Sequence, residues 1–308
     1  MSNTQVFDQP LVSIVVITYN SSKYVIETLE SAKAQTYKNI ELIVSDDCSP
    51  DNTAELCKEW IENNRSRFVR AELVVAQKNS GIPANCNRGI KKANGEWIKI
   101  IAGDDILMAN CIEAMVSFSI NSGSQIATSG IEEFCEDGLP SRVKGASHLR
   151  KLKLFSIERR KQFKFYVRNP VFLNSPALIF KKEVFDKIGL FDERFRILED
   201  TPFLIKALHA GYAIHYNETQ TVRYRTTLQA RDKDLEHEED FYLCFELCRR
   251  PYLSKFNIVD LAYLYDFFLI KQSRNCKNSV CKYVLKVLVN LTDPIFMKNR
   301  VSRLLRGS

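Results

Sequence analysis

No stretch of this 308-residue chain approaches the ~18–20 consecutive apolar residues that a membrane-spanning helix needs, so no transmembrane segment is expected. The first residues, MSNTQVFDQP, lack the basic and apolar regions of a secretory signal, and the expectation is a cytoplasmic protein. The nine cysteines form no C-x-x-C pair and the four histidines do not cluster, which excludes a cysteine–histidine metal site. Scattered and odd in number, the cysteines read as reduced, mostly packed thiols, Cys244 and Cys248 included. No glycine stands in Thr18-Tyr19-Asn20-Ser21-Ser22 after the first apolar run. That absence excludes the Gly-rich phosphate loops of dinucleotide oxidoreductases and sugar nucleotidyltransferases. Internal repeats and low-complexity tracts are also lacking.

What is present is an ordinary globular composition, 45% hydrophobic and 26% charged, with a formal charge of +7. That charge is uneven: residues 241–308 hold 12 Lys and Arg against 4 Asp and Glu, which leaves 32 against 33 for residues 1–240. The basic character belongs to the tail, and no nucleic-acid partner is expected. Lys282, Lys286, Lys298, Arg300, Arg303 and Arg306 lie among Val284, Leu285, Val287, Leu288, Ile295, Phe296, Leu304 and Leu305. This pattern suits a peripheral membrane contact, and equally a helix packed on the main domain or on a second copy in a homo-oligomer.

The first hundred residues alternate strand and helix patterns. Strands are expected at Val12–Thr18, Ile40–Val44, residues 69–76 and Glu96–Ile101. Helices are expected from Ser21/Ser22 to Gln35, from Ser49-Pro50-Asp51 to about Asn63, and over Gly81–Asn94, ended by Gly95. Such alternation predicts an α/β fold with a mostly parallel, doubly wound sheet. Beyond it, residues 110–121 read as helix, 125–134 as strand, and 136–170 as a loop region with a partial helix. Pro176–Lys181 reads as a strand, Lys182–Ile188 as a short helix, and a further helix runs to Ala210 with Gly211 at its end. Residues 213–225 read as a hairpin or edge strand. Two or three helices are expected over 235–308, so that a domain of residues 1–230 carries a helical appendage of 231–308.

Three acid pairs mark the chemistry. Asp46-Asp47 and Asp104-Asp105 each close an apolar strand, where parallel sheets bind ligands. Adjacent carboxylates beyond a buried strand repel unless a cation or donor meets them, and hard oxygen ligands suit Mg²⁺ or Mn²⁺. Asp46-Asp47 can accept from a base or ribose, or can support the turn before Ser49. Thr18-Tyr19-Asn20 can receive a base, or can be a plain strand-to-helix turn. Glu199-Asp200 precedes Thr201-Pro202 and reads either as a helix cap or as a catalytic base.

Taken together, VSIVVITYN (12–20), ELIVSDDCSPDNT (41–53), QKNSGIPANCNRGIKKANGEWIKIIAGDD (77–105) and GLFDERFRILEDTPFLIKALHAGY (189–212) resemble the inverting glycosyltransferases of family 2, with the GT-A fold. The resemblance covers residues 10–225. It implies transfer of a sugar from a nucleotide diphosphate, UDP by expectation, to an acceptor hydroxyl, in cell-surface polysaccharide or glycolipid synthesis. Thr18, Tyr19, Asn20, Asp46 and Asp47 would hold the nucleoside, and Lys78, Gly81 and Asn87 fall in a third nucleotide-contacting segment. Asp105 would bind Mn²⁺ or Mg²⁺, with Asp104 on the ribose or the metal's water shell. Asp200 would be the base, with Glu199 as second choice. The acceptor would be a glycan or a lipid-linked sugar. Ala102 and Cys86 depart from the family pattern, which commonly has a carboxylate and an Arg there, and Arg88 or Lys78 would replace the missing cation. The contrasting reading is a degenerate domain that binds a nucleotide sugar or glycan without turnover.

Overall fold

The computed structural model describes residues 9–135, 153–169, 173–226, 234–255 and 257–275. Two units are distinguished: Met1–Tyr166 with Pro170–Cys244, and Val167–Asn169 with Phe245–Ser308. The larger unit holds one eight-stranded sheet. Its first four strands are β1 (Val12–Thr18), β2 (Ile40–Asp46), β3 (Arg70–Val75) and β4 (Trp97–Ala102). Then follow β5 (Ile106–Leu107), β6 (Ile126–Phe134), β7 (Leu178–Lys181) and β8 (Ile214–Arg225), in the spatial order β3-β2-β1-β4-β7-β6-β8-β5.

β1, β2, β3 and β4 are parallel, as strands joined by helical crossovers must be. All of β2 and nearly all of β1 is buried, because helices cover both faces of such a sheet. The crossover helices are α1 (Val25–Lys33), α2 (Thr53–Asn64) and α3 (Ile82–Lys92), and α4 (Cys111–Ser122) follows β5. Register places Thr18 opposite Asp46 and Ile17 opposite Ala102. The loops after β1, β2 and β4 therefore open at the same edge.

Several boundaries differ from expectation, each for a local reason. Ser21 and Ser22 do not cap α1, which begins at Val25; their main-chain N–H groups donate instead to Thr53 Oγ1 and Asp51 Oδ2. Ser49 does not cap α2, because its hydroxyl and N–H are spent on Asp46, and Asp51 accepts from Thr53 at the helix start. Gly95 is no left-handed cap. A Cβ there would lie 2.4 Å from Ser13 Oγ and 2.5 Å from its N, so the position is kept bare by close packing against β1. The 213–225 segment is no hairpin, and as an edge it is covered by a further strand only at Val222 and Arg223. As β8 it pairs parallel with β6 through register shifts around Gly130, and the two-residue β5 takes the edge.

In the second half, α5 (Arg159–Arg168) as far as Tyr166, α6 (Lys182–Ile188), α7 (Asp200–His209) and α8 (Asp234–Cys244) complete the larger unit. Phe180, Phe185, Phe191 and Phe203 form one ring cluster with centroids 4.8–6.3 Å apart. All four are buried, each worth about 1.5–3 kcal/mol of apolar burial. The cluster anchors the 189–199 loop between α6 and α7.

In the smaller unit α9 (Ile258–Asn275) carries buried Asp260, paired with Arg168 at 2.6 Å, and Phe245 stacks on Phe267. Arg249 donates to the carbonyls of Val167 and Arg168. No disulfide joins any of the described cysteines. The expected basic contact surface from Lys282 to Arg306 lies outside the described residues, as do 136–152 of the expected loop region.

Candidate active site

The end of β2 is a hub of hydrogen bonds. Asp46 is fully buried and accepts from the Thr18 hydroxyl at 2.8 Å, the Ser49 N–H at 2.9 Å and the Ser49 hydroxyl at 2.5 Å. Its neighbour Asp47 accepts at Oδ2 from the N–H groups of Ser80 and Gly81, both at 2.8 Å, and at Oδ1 from Arg88 at 2.9 Å. Buried carboxylates need such donors, since an unpaired charge there costs several kcal/mol. Tyr19, 48% exposed, and Asn20, at φ 53°, stand above this hub, and the Asn20 N–H donates to Ser49 Oγ.

The third segment acts mostly as a bridge. Lys78 is exposed, but Gly81 and Asn87 face inward. Asn87 donates to Phe191 O and Glu193 Oε1 and accepts the Phe191 N–H. Gly81 adopts φ 93° and ψ 169°, and a Cβ on it would lie 2.5 Å from Arg196 O. Ile82 N–H donates to that same carbonyl at 2.8 Å. Arg88 is committed to Asp47 and Asn85, and Asn85 in turn donates to Thr18 O. Cys86 is fully buried, so an Arg at that position would meet the protein interior.

At the end of β4, Gly103 allows a tight turn against Thr18, whose Cγ2 would be 2.8 Å from an added Cβ. Asp105 is buried and accepts the Arg225 N–H at 2.9 Å. Burial and the adjacent Asp104 charge push its carboxyl well above the usual range, against the pull of Arg225 and Lys99. Arg225, at the end of β8, donates Nε to Asp104 O, pairs with Glu27 at 2.7 Å, and lies over the Tyr24 and Phe134 rings. Lys99 on β4 is fully buried, with Nζ donating to Pro176 O and Leu178 O. The Asp104–Asp105 pair fits a hard divalent cation: two adjacent carboxylates, one of them buried. Among the described residues no group of three or more His, Cys, Asp or Glu is poised as a metal cage. The remaining ligands would have to come from a diphosphate and water.

Glu199 and Asp200 open α7, both buried. Glu199 occupies the N-cap position without a capping side-chain bond, and Asp200 begins the helix, accepting from Thr201 N–H and, at 3.1 Å, its hydroxyl. Burial and then the Asp200 charge push Glu199 up to about 8, with Ser175 and main-chain hydrogen bonds opposing. The three acid pairs bear on shared neighbours. The buried Cys86 thiol is raised by burial, then by Glu199, Asp200 and Asp47. Burial raises the Tyr224 hydroxyl as well, followed by Asp105, Asp104, Glu133 and Glu199. Glu199 thus shares one neighbour, Cys86, with Asp47 and another, Tyr224, with Asp104 and Asp105. Arg225 holds the Asp104 main chain and Asp240 the loop before Glu199, and neither carries a motif that marks it in the sequence.

The model of glycosyl transferase family 2 matches residues 13–189, and the chain belongs to that family. It is 30% identical over 225 residues to the succinoglycan biosynthesis protein ExoO of Rhizobium meliloti, covering 68% of this chain and 62% of that one. It is 43% identical over 107 residues to the glycosyltransferase GlyG of Streptococcus pneumoniae, covering 34% of each. The chain thus spans 34–62% of the length of these two curated relatives. Among solved structures, S. aureus TarS aligns with TM-score 0.57 at 19% identity, covering 92% of this chain and 53% of that chain. TarS 1-349 in complex with UDP-GlcNAc aligns with TM-score 0.56 at 18% identity, covering 82% and 78%. At such identity the likeness establishes the fold, which is GT-A.

Proposed function

We propose that this chain transfers a sugar from a UDP-linked donor to an acceptor hydroxyl, with inversion, in the synthesis of a surface polysaccharide or glycolipid. The observation that carries the reading is the placing of Asp46–Asp47 and Asp104–Asp105 at one edge of the sheet, with the loop before Glu199–Asp200 joined to Gly81 and Ile82 beside Asp47. UDP as the nucleotide is supported by the TarS complex with UDP-GlcNAc, and the polysaccharide by the succinoglycan relative.

In this reading Tyr19 and Asn20 meet the uracil and ribose above the Asp46–Asp47 hub, and Lys78 faces the phosphates. Asp105, with Asp104, would hold Mn²⁺ or Mg²⁺, which when bound supplies charge neutralisation for the departing diphosphate. Burial and the Asp200 charge push Glu199 up to about 8, which makes it the weaker candidate for the base. Asp200 takes the proton of the incoming hydroxyl as the oxygen attacks the anomeric carbon in line. General-base help of that kind is worth about 10²–10⁴-fold.

The acceptor is a glycan or lipid-linked sugar. The basic C-terminal residues meet either anionic lipid or a protein surface; co-sedimentation with anionic vesicles separates the two. No helix among the described residues is long and apolar enough to cross a membrane. The first test is calorimetric titration with UDP, with and without Mn²⁺, on the native chain and on Asp105→Ala. Binding that needs the metal and disappears in Asp105→Ala is the expected result. Equal UDP binding by both proteins, with or without metal, would refute the assignment of Asp105.

A further inference from the structure

The loop that delivers Glu199 and Asp200 is held by a carboxylate lying beyond the residues that the family model matches. Asp240, on α8, is only 6% exposed. Its Oδ2 accepts three successive main-chain N–H groups, from Arg196 at 2.9 Å, Ile197 at 2.7 Å and Leu198 at 2.9 Å, and Oδ1 lies 3.1 Å from the Arg196 N. Buried amides without a partner are costly, and three in a row have no strand to pair with here. The carboxylate substitutes for that strand. On its other side the same loop is fixed by the Ile82 N–H on Arg196 O and by Arg196 Nη2 on Asn79 Oδ1 at 2.9 Å. Glu199 is the next residue along the chain.

We propose that Asp240 is a positioning residue for sugar transfer, clamping the main chain of residues 196–198 so that the Glu199–Asp200 pair is presented to the acceptor oxygen. The inference rests on the reading of Asp200 as base. Asp240 acts through the loop, not on the substrate, so its loss affects the reacting geometry more than the nucleotide. Displacement of a reacting group by about 1 Å costs on the order of 100-fold in rate.

The test uses the full chain with UDP-N-acetylglucosamine and Mn²⁺, following UDP release to water, for Asp240→Ala, Asp240→Asn and Asp200→Asn. For Asp240→Ala the expected result is a kcat lowered about 10- to 100-fold, with donor KM and UDP affinity within about twofold. Asp240→Asn keeps an acceptor oxygen where Oδ2 stands and should fall between. Native kcat in Asp240→Ala, or UDP affinity lost in proportion to turnover, overturns the proposal. If Asp240→Ala does not fold, Asp240→Asn decides: a lowered kcat with UDP affinity kept supports the clamp, and native kcat overturns it. Full turnover in Asp200→Asn removes the base assignment and the inference with it, whereas inactive Asp200→Asn beside fully active Asp240 variants removes the inference alone.

Discussion

Replacing Gly81 by Ala should cost both stability and turnover, and the two losses can be separated. At φ 93° and ψ 169° Gly81 sits in a region that is essentially closed to other residues, a strain of about 1–3 kcal/mol for alanine. The added Cβ would also lie 2.5 Å from Arg196 O and 3.3 Å from two further main-chain atoms of Arg196. Backbone cannot step aside as a side-chain tip can. The Ile82-to-Arg196 hydrogen bond and the Gly81 N–H on Asp47 would lengthen together, at about 0.5–1.5 kcal/mol for a neutral bond and more for one to a charge. A total of about 2–5 kcal/mol corresponds to a fall in Tm of roughly 3–8 °C in a protein of this size. Gly189 provides the control. It shares the same backbone region, φ 80° and ψ 170°, but its added Cβ would meet only Lys206 Nζ, at 3.3 Å. Gly189→Ala should therefore show the strain without the collision. The assays are scanning calorimetry and UDP release, with turnover measured well below either Tm. Gly81→Ala should lose both; Gly189→Ala should lose stability and keep its rate. Equal effects of the two substitutions, on both readouts, would refute the argument from the contact with Arg196.

Two further outcomes follow from the acid pair before α7. Glu199 is raised from 4.5 to about 8 in the folded chain, so it binds a proton that the unfolded chain has released, and its contribution to stability declines as pH rises from about 4.5 to about 8. Glu199→Gln should therefore gain a few kcal/mol relative to the native chain near pH 8, with little gain near pH 4.5, and a Tm difference that stays flat across pH 4.5–9 would contradict this. Asp200→Asn should lower transfer by about 10²–10⁴-fold while calorimetric UDP affinity is unchanged; lost UDP affinity would instead mark Asp200 as a structural residue of the helix start.

The strands and the acid pairs were legible because their signals are local. β1, β2 and β4 are runs of β-branched residues, and the carboxylates that end β2 and β4 follow them directly in the chain. What escaped depends on partners distant in sequence. Ser22 and Ser49 have the chemistry of helix caps, yet each finds a better partner across the loop, Asp51 and Asp46. β8 lies between β6 and β5 through pairings that alternation in 213–225 cannot reveal. Asp240 is one acid among several in a helical stretch, and only the folded chain places the amides of residues 196–198 against it. Lys99 interrupts an apolar strand, and its acceptors are carbonyls 77 and 79 residues away. Nor does the sequence announce that Gly81 and Asn87 touch the 191–196 loop, while the Gly81 N–H also donates to Asp47.

The contact of Gly81 with Arg196 also constrains how such a protein can diversify. Segment 77–87 and segment 189–200 are far apart in the chain yet meet closely, backbone to backbone at the Ile82 N–H and the Arg196 carbonyl and through the side chains of Asn87 and Asn79. Drift at one therefore has to be matched at the other. A chimera exchanging only one of the two segments with a relative would inherit a misfit where the halves join, while one exchanging both would carry the junction intact. In engineered hybrids the two segments should then travel together as one hereditary block.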